Sequence, residues 1–165
     1  FTLSAVSNGN TVFNATVTAY DASQYPDASL ALAIGGRLSG SWYDPAHPGE
    51  GIFLEVGEQG ERFVFLSWFT YAPDGRAYWI IGQAAVPADA RTVTVPMQYY
   101  VNGGFAGNFA NATGQQWGTV TLAFPACDTL MLGFQSNALL PTDVPSGSGT
   151  RTWRRLVTID GYACE

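Results

Sequence analysis

Apolar and polar residues alternate along most of this chain with a period of two. From Thr11 to Tyr20 the alternation puts Phe13, Ala15, Val17 and Ala19 on one face and Asn14, Thr16 and Thr18 on the other, as a half-buried strand requires. Ser7-Asn8-Gly9-Asn10 before it and Tyr25-Pro26-Asp27 after it carry turn chemistry. Further runs of strand character follow at Leu30–Ala33, Arg37–Tyr43, Gly51–Val56, Arg62–Tyr71, Ala77–Ala85, Arg91–Tyr99, Gly118–Phe124, Leu130–Gln135 and Thr150–Ile159. Turn formers separate them, among them Pro73-Asp74-Gly75, Pro87-Ala88-Asp89 and Asn102-Gly103-Gly104, while Asn102–Gln116 reads as a long exposed loop. No long stretch carries a helical stripe. The pattern predicts an all-β fold, an antiparallel sandwich or barrel of about 8–10 strands with an N-terminal extension strand.

Composition narrows the setting. The 165 residues suit one domain, and all five Trp lie from position 42 onward, so residues 1–34 read as an N-terminal extension and 35–165 as the β-rich core. Thirteen acidic residues against seven basic ones, all Arg, give a net charge of −6, which disfavours nucleic acid and anionic membrane as partners. No apolar run is long enough for a spanning helix, so no membrane insertion is expected. The two cysteines, Cys127 and Cys164, permit one pairing, and closing the 36 residues between them would pin the C-terminus. A chain that starts at Phe1 without Met fits removal of a signal peptide, and with the disulfide it points to a secreted, extracellular or cell-surface protein. His47 is the single histidine, too few for a typical zinc site, and neither metal nor cofactor is expected.

Gly40-Ser41-Trp42-Tyr43-Asp44-Pro45, Pro48-Gly49-Glu50-Gly51, Ser67-Trp68-Phe69-Thr70-Tyr71 with Asp74-Gly75, and Tyr78-Trp79 form one extended pattern. Trp117-Gly118-Thr119, Cys127 and Arg154-Arg155-Leu156 through Cys164 continue it. The whole, from about residue 36 to 164, resembles a largely uncharacterised β-rich domain that recurs in secreted bacterial proteins. That resemblance implies an exported β domain and supplies no reaction. Gly40-x-Trp42-Tyr43 is also similar to the first strand of avidin-type biotin binders, but the Asn/Ser/Tyr set that would hold biotin's ureido ring has no position-by-position match here.

Candidate chemistry is sparse. Asp44, His47 and Glu50 share a turn that could serve as a base, although turns favour such residues in any case and Asp44 reads as a turn cap. Glu50 and Glu55 should face opposite sides of one strand, and Glu55 and Glu61 flank a hairpin; nothing marks them as an acid/base pair. No nucleophile elbow or phosphate loop is present, so no enzyme is expected. The excess of amphipathic rings is more telling. Trp42, Tyr43, Trp68, Tyr71, Tyr78, Trp79, Tyr99, Tyr100 and Trp117 exceed what one small core usually takes inside, so they are candidate ligand-binding aromatics. Two functions follow. In the first, the chain is a subunit of a filament or surface fibre, and its N-terminal segment (Phe1–Asp27, with Phe13, Ala15, Val17 and Ala19 as the assembly face) adds a strand to a neighbouring copy. In the second, the chain is a secreted module binding a glycan or other ligand through its exposed Trp and Tyr.

Overall fold

The computed structural model describes residues 2–7, 10–16, 31–106, 112–162 and 164, with the backbone alone for the first two segments and for Gln59. The elements are β1 (Thr2–Ser7), β2 (Asn10–Thr16), a turn of 3-10 helix (Gly36–Leu38), β3 (Gly40–Tyr43), β4 (Gly51–Gln59), β5 (Glu61–Tyr71), β6 (Ala77–Ala85), β7 (Thr92–Val101), β8 (Thr113–Ala126), β9 (Thr129–Ser136) and β10 (Ser148–Arg155). Strands β3 to β10 pair with their sequence neighbours, all antiparallel, and β10 returns to β3, so eight strands close an up-and-down barrel. β1 and β2 form a separate two-stranded hairpin across Asn8-Gly9, with Phe13 opposite Ala5 and Ala15 opposite Leu3. Val17 and Ala19, the other half of the expected assembly face, lie outside the described residues.

The period-two pattern maps directly onto the barrel. On β5, Val64, Leu66 and Trp68 point in and are buried; on β7, Val93, Val95, Met97 and Tyr99 do the same. With eight strands the interior is just wide enough for side chains to fill, and here they fill it. Each fully buried aliphatic or aromatic side chain contributes roughly 1.5–3 kcal/mol of hydrophobic stabilisation. At Gly82 a Cβ would collide with the Pro96 carbonyl oxygen, so only glycine lets β7 pass so near. The β6–β7 seam holds two residue pairs, Ile81 with Gln98 and Gly82 with Met97, and stops where Pro96 offers no N–H.

Four expectations need correction. Ala31–Ala33 is not a strand: it belongs to a strap that crosses one end of the barrel and buries Ala31 and Ile34, three positions apart, without joining a ladder. Arg37 and Leu38 belong to the 3-10 turn, because Gly35-Gly36 lets the chain reverse before β3 starts at Gly40. The exposed loop after Asn102 is shorter than expected, since Thr113–Gln116 joins β8 and pairs with Gln98–Val101. β10 ends at Arg155, and residues 156–164 run on as a tail to the disulfide between Cys127 and Cys164. Thr2–Ser7 is a strand the alternation did not reveal.

One end of the barrel is closed by that strap. Leu32 N–H donates to the Phe124 carbonyl (2.8 Å) and Ile34 N–H to that of Ala90 (2.7 Å). Four arginines cap the strap's own carbonyls: Arg91 on Ala31, Arg37 on Ala33, Arg62 on Ile34 and Arg155 on Arg37. The Arg155 guanidinium also lies 4.8 Å from the Trp42 ring, whose Nε1–H donates to the Leu38 carbonyl. Trp42, Phe124, Leu38 and Ile34 are thereby sealed from water.

Candidate functional site at the barrel mouth

The opposite end carries the connections β3–β4, β5–β6, β7–β8 and β9–β10, and the side chains that point inward there are polar or aromatic. A β-bulge builds its floor. Met97 pairs with Gly118 and Gln98 with Gln116, which leaves Trp117 as the extra residue, turned into the mouth and 2% exposed. Its Nε1–H donates to the Pro145 carbonyl (2.7 Å), and its carbonyl accepts from Asn137 N–H, so the β9–β10 loop is anchored over it at both ends. Trp68 meets Trp117, Phe134 and Trp153 edge-to-face, at centroid distances of 5.8, 5.3 and 6.0 Å.

Above this floor opens a cleft of about 130 Å³ that Glu50, Thr70 and Arg151 also line. Glu50 continues the inward parity of Ile52 and Leu54 beyond the start of β4, Thr70 that of Trp68, and Arg151 that of Trp153. One carboxylate oxygen, Oε1 of Glu50, accepts from Trp68 Nε1–H (3.0 Å) and Thr70 Oγ1–H (2.9 Å). Its other oxygen has no hydrogen-bond partner among the described residues, and neither does the Arg151 guanidinium. The mouth therefore offers one anionic acceptor and one cationic donor group over an aromatic base.

Beside the cleft, Tyr78 and Tyr99 lean together at 6.5 Å, and burial pushes the Tyr78 hydroxyl above its usual pKa, keeping it a neutral donor. In the β3–β4 turn, Asp44 Oδ1 accepts from Ala46 N–H and Oδ2 from His47 Nδ1–H at 2.8 Å. The His47 bond, then the Ala46 amide, hold the Asp44 carboxyl below its ordinary value, so this pair serves the turn as a cap. Among the described residues no group of His, Cys, Asp and Glu could hold a metal ion, and no helix is long and apolar enough to cross a membrane.

The nine candidate aromatics do not share a face. Trp42, Trp68, Tyr99 and Trp117 are buried; Tyr43 and Tyr78 are half-buried; Tyr71, Trp79 and Tyr100 are exposed on the outside of the barrel. Only Trp68 and Trp117 line the cleft, with Tyr78 and Tyr99 beside it. Glu50 enters the mouth and Glu55 faces outward, on opposite sides as their spacing requires. Thr70, Phe134 and Arg151 were not singled out from sequence, though each sits two positions from a buried Trp or Leu in its strand, a parity signal that could have found them. No family model matches the chain, and no curated protein or solved structure is significantly similar to it.

Proposed function

We propose that the protein is a secreted, non-catalytic module that binds one flat polar ring, such as a single sugar unit, at the barrel mouth. The observation that carries this reading is a spare Glu50 oxygen beside an Arg151 guanidinium without a hydrogen-bond partner among the described residues, over the Trp68–Trp117–Phe134 floor. A sugar presents an apolar face to rings and hydroxyls to a carboxylate and a guanidinium, which is the combination this cleft offers. At 130 Å³ the cleft holds the volume of about four waters, below the usual range of drug-sized pockets, so it takes one ring and leaves the rest of a ligand in solvent. Affinity is accordingly expected near the millimolar range, about −4 kcal/mol. The disulfide suits an oxidising compartment.

Titrating a panel of methyl glycosides while following tryptophan emission tests it, because three indoles crowd the site. At least one sugar should shift the emission saturably, and Glu50→Gln should weaken that binding about tenfold with stability changed by less than about 1 kcal/mol, since the amide oxygen still accepts from Trp68 and Thr70. No response across the panel, or a response indifferent to Glu50→Gln, refutes the reading.

One observation favours the fibre reading as well. The β1–β2 hairpin stands apart from the barrel sheet, and two-stranded hairpins are marginal in water without a third strand or a packed face. The closed barrel leaves no vacant position for an added strand, so assembly would run along the hairpin edge instead of the neighbour's core sheet, a neighbouring copy supplying the third strand. Val17→Asp in the full chain should then abolish fibres seen by negative stain at micromolar concentration; a wild-type chain without fibres ends this reading.

A further inference from the structure

The nine residues of β6 and the ten of β7 share only two residue pairs, and over this short seam the outer surface sinks into a hollow of about 360 Å³. That volume lies within the usual range of small-molecule sites, about 300–1,000 Å³. The hollow is separate from the mouth: Ile80 lines the cleft and Ile81 the hollow, on opposite faces of β6. Phe65, Ile81 and Tyr100 give it apolar walls, and Gln83 and Gln98 bring two side-chain amides between them. Neither amide, nor the Tyr100 hydroxyl, has a hydrogen-bond partner among the described residues. Gly114 on β8, which pairs with Tyr100, makes room for two of these groups. A Cβ there would sit 2.9 Å from Gln98 Oε1 and 3.4 Å from the Tyr100 ring, so glycine lets amide and ring lie side by side.

We infer that this hollow is a second binding site, which takes one unit of a neutral, linear glycan whose next unit lies against Trp79. Sugar fits the lining because each hydroxyl both donates and accepts, as each side-chain amide does, while the apolar face of the ring covers Phe65 and Tyr100. A purely apolar ligand would bury both amides without partners, at a cost of about 1–3 kcal/mol each. Charge selects a neutral glycan. Among the described residues no charged side chain lines the hollow, so nothing inside it holds a cationic or anionic unit. Its rim is acidic: Glu55 pairs in register with Phe65, and Glu61 shares a neighbouring hollow with Gln83, while Arg62 turns away to the Ile34 carbonyl. Acidic polymers are thereby repelled. The track continues along the seam, since two places beyond the Ile81–Gln98 pair Trp79 stands opposite Tyr100, 56% and 47% exposed. Binding here does not depend on a ligand at the mouth.

Affinity electrophoresis of the full chain through four soluble neutral polysaccharides, a mixed-linkage glucan, a xyloglucan, a galactomannan and an arabinoxylan, tests it. At least one should retard the wild-type chain. Gln98→Ala with Tyr100→Ala should weaken that retardation at least about tenfold while far-UV circular dichroism stays unchanged. Gln83→Ala, at an exposed side chain, should weaken it several-fold and decides alone where the double variant does not fold. Glu50→Gln at the mouth should leave it unaltered. Passage without retardation through all four polysaccharides overturns the inference, as does retardation that survives the substitutions in the hollow. Retardation lost on Glu50→Gln also overturns it and gives the glycan to the mouth. Methyl-glycoside binding that is sensitive to Glu50→Gln, in a chain that no polysaccharide retards, removes the hollow site and leaves the mouth standing.

Discussion

The two ends of the barrel solve the same problem, what to do with the inward side chains of the last strand positions, in opposite ways. At the strapped end the chain covers its core with its own backbone. It then caps the carbonyls that cannot join a ladder with Arg37, Arg62, Arg91 and Arg155. An orphaned buried carbonyl costs about 1–3 kcal/mol, and a guanidinium satisfies one from the side while its stem covers apolar surface. At the mouth the corresponding carboxylate and guanidinium, Glu50 and Arg151, keep unused hydrogen-bonding capacity above an aromatic floor. Both ends keep unused donors, since Arg37 Nε and Arg155 Nε and Nη1 are buried at the strapped end without a partner among the described residues, but only at the mouth do the spare groups face an open cleft.

The comparison breaks most easily at Trp42, which belongs to the strapped end alone. Trp42→Ala removes a ring that contacts Phe124, lies under Arg155 and is 1% exposed. A loss of about 3–5 kcal/mol is expected in urea denaturation, as for other large-to-small core changes. A loss below about 1 kcal/mol would mean that the strap does not hold this end. Arg155→Met should cost less, about 1–2 kcal/mol, because it forfeits the Trp42 contact and the bond to the Arg37 carbonyl but relieves a desolvation that already pushes the Arg155 pKa down. Arg155→Met should leave sugar titrations at the mouth unchanged, and a shift in them would join the two ends that the geometry separates.

The barrel strands were legible because a filled barrel needs strict alternation, and Val64, Leu66, Trp68 and Val93, Val95, Met97 supply it. Closure was not, since β10 meets β3 at Arg154–Tyr43 and Arg155–Trp42, with one further bond from Leu156 N–H to the Ser41 carbonyl, a pairing more than a hundred residues apart that leaves no local trace. The strap was misread as a strand for a physical reason: Ala31 and Ile34 are buried and Leu32 and Ile34 donate sideways to other strands, so the segment imitates strand chemistry without a ladder. At the mouth, Trp68 and Trp117 were found as rings. Their partners Thr70 and Arg151 escaped because alternation carried past the last buried residue looks like ordinary surface polarity.

The smallest expected effect lies in the turn at the mouth, where Asp44 is nearly buried and hydrogen-bonds within its own loop, with a weaker attraction from Arg151 on β10. Its folded pKa is held below 3.8 by the His47 hydrogen bond first and the Ala46 amide second. A carboxyl depressed on folding binds its proton more readily in the unfolded chain. Its contribution is therefore complete above about pH 4 and drains away as pH falls through the lower folded value. Asp44→Asn should remove that part of the acid dependence and cost under about 1 kcal/mol at neutral pH. Asp74 is depressed as well, through Arg76, but that pair is exposed, so added salt should weaken its share. Acid titrations of stability at low and high salt therefore separate the two: the difference between wild type and Asp44→Asn should survive salt. If it vanishes, the Asp44–His47 contact is a screened surface pair and the mouth holds no preformed turn.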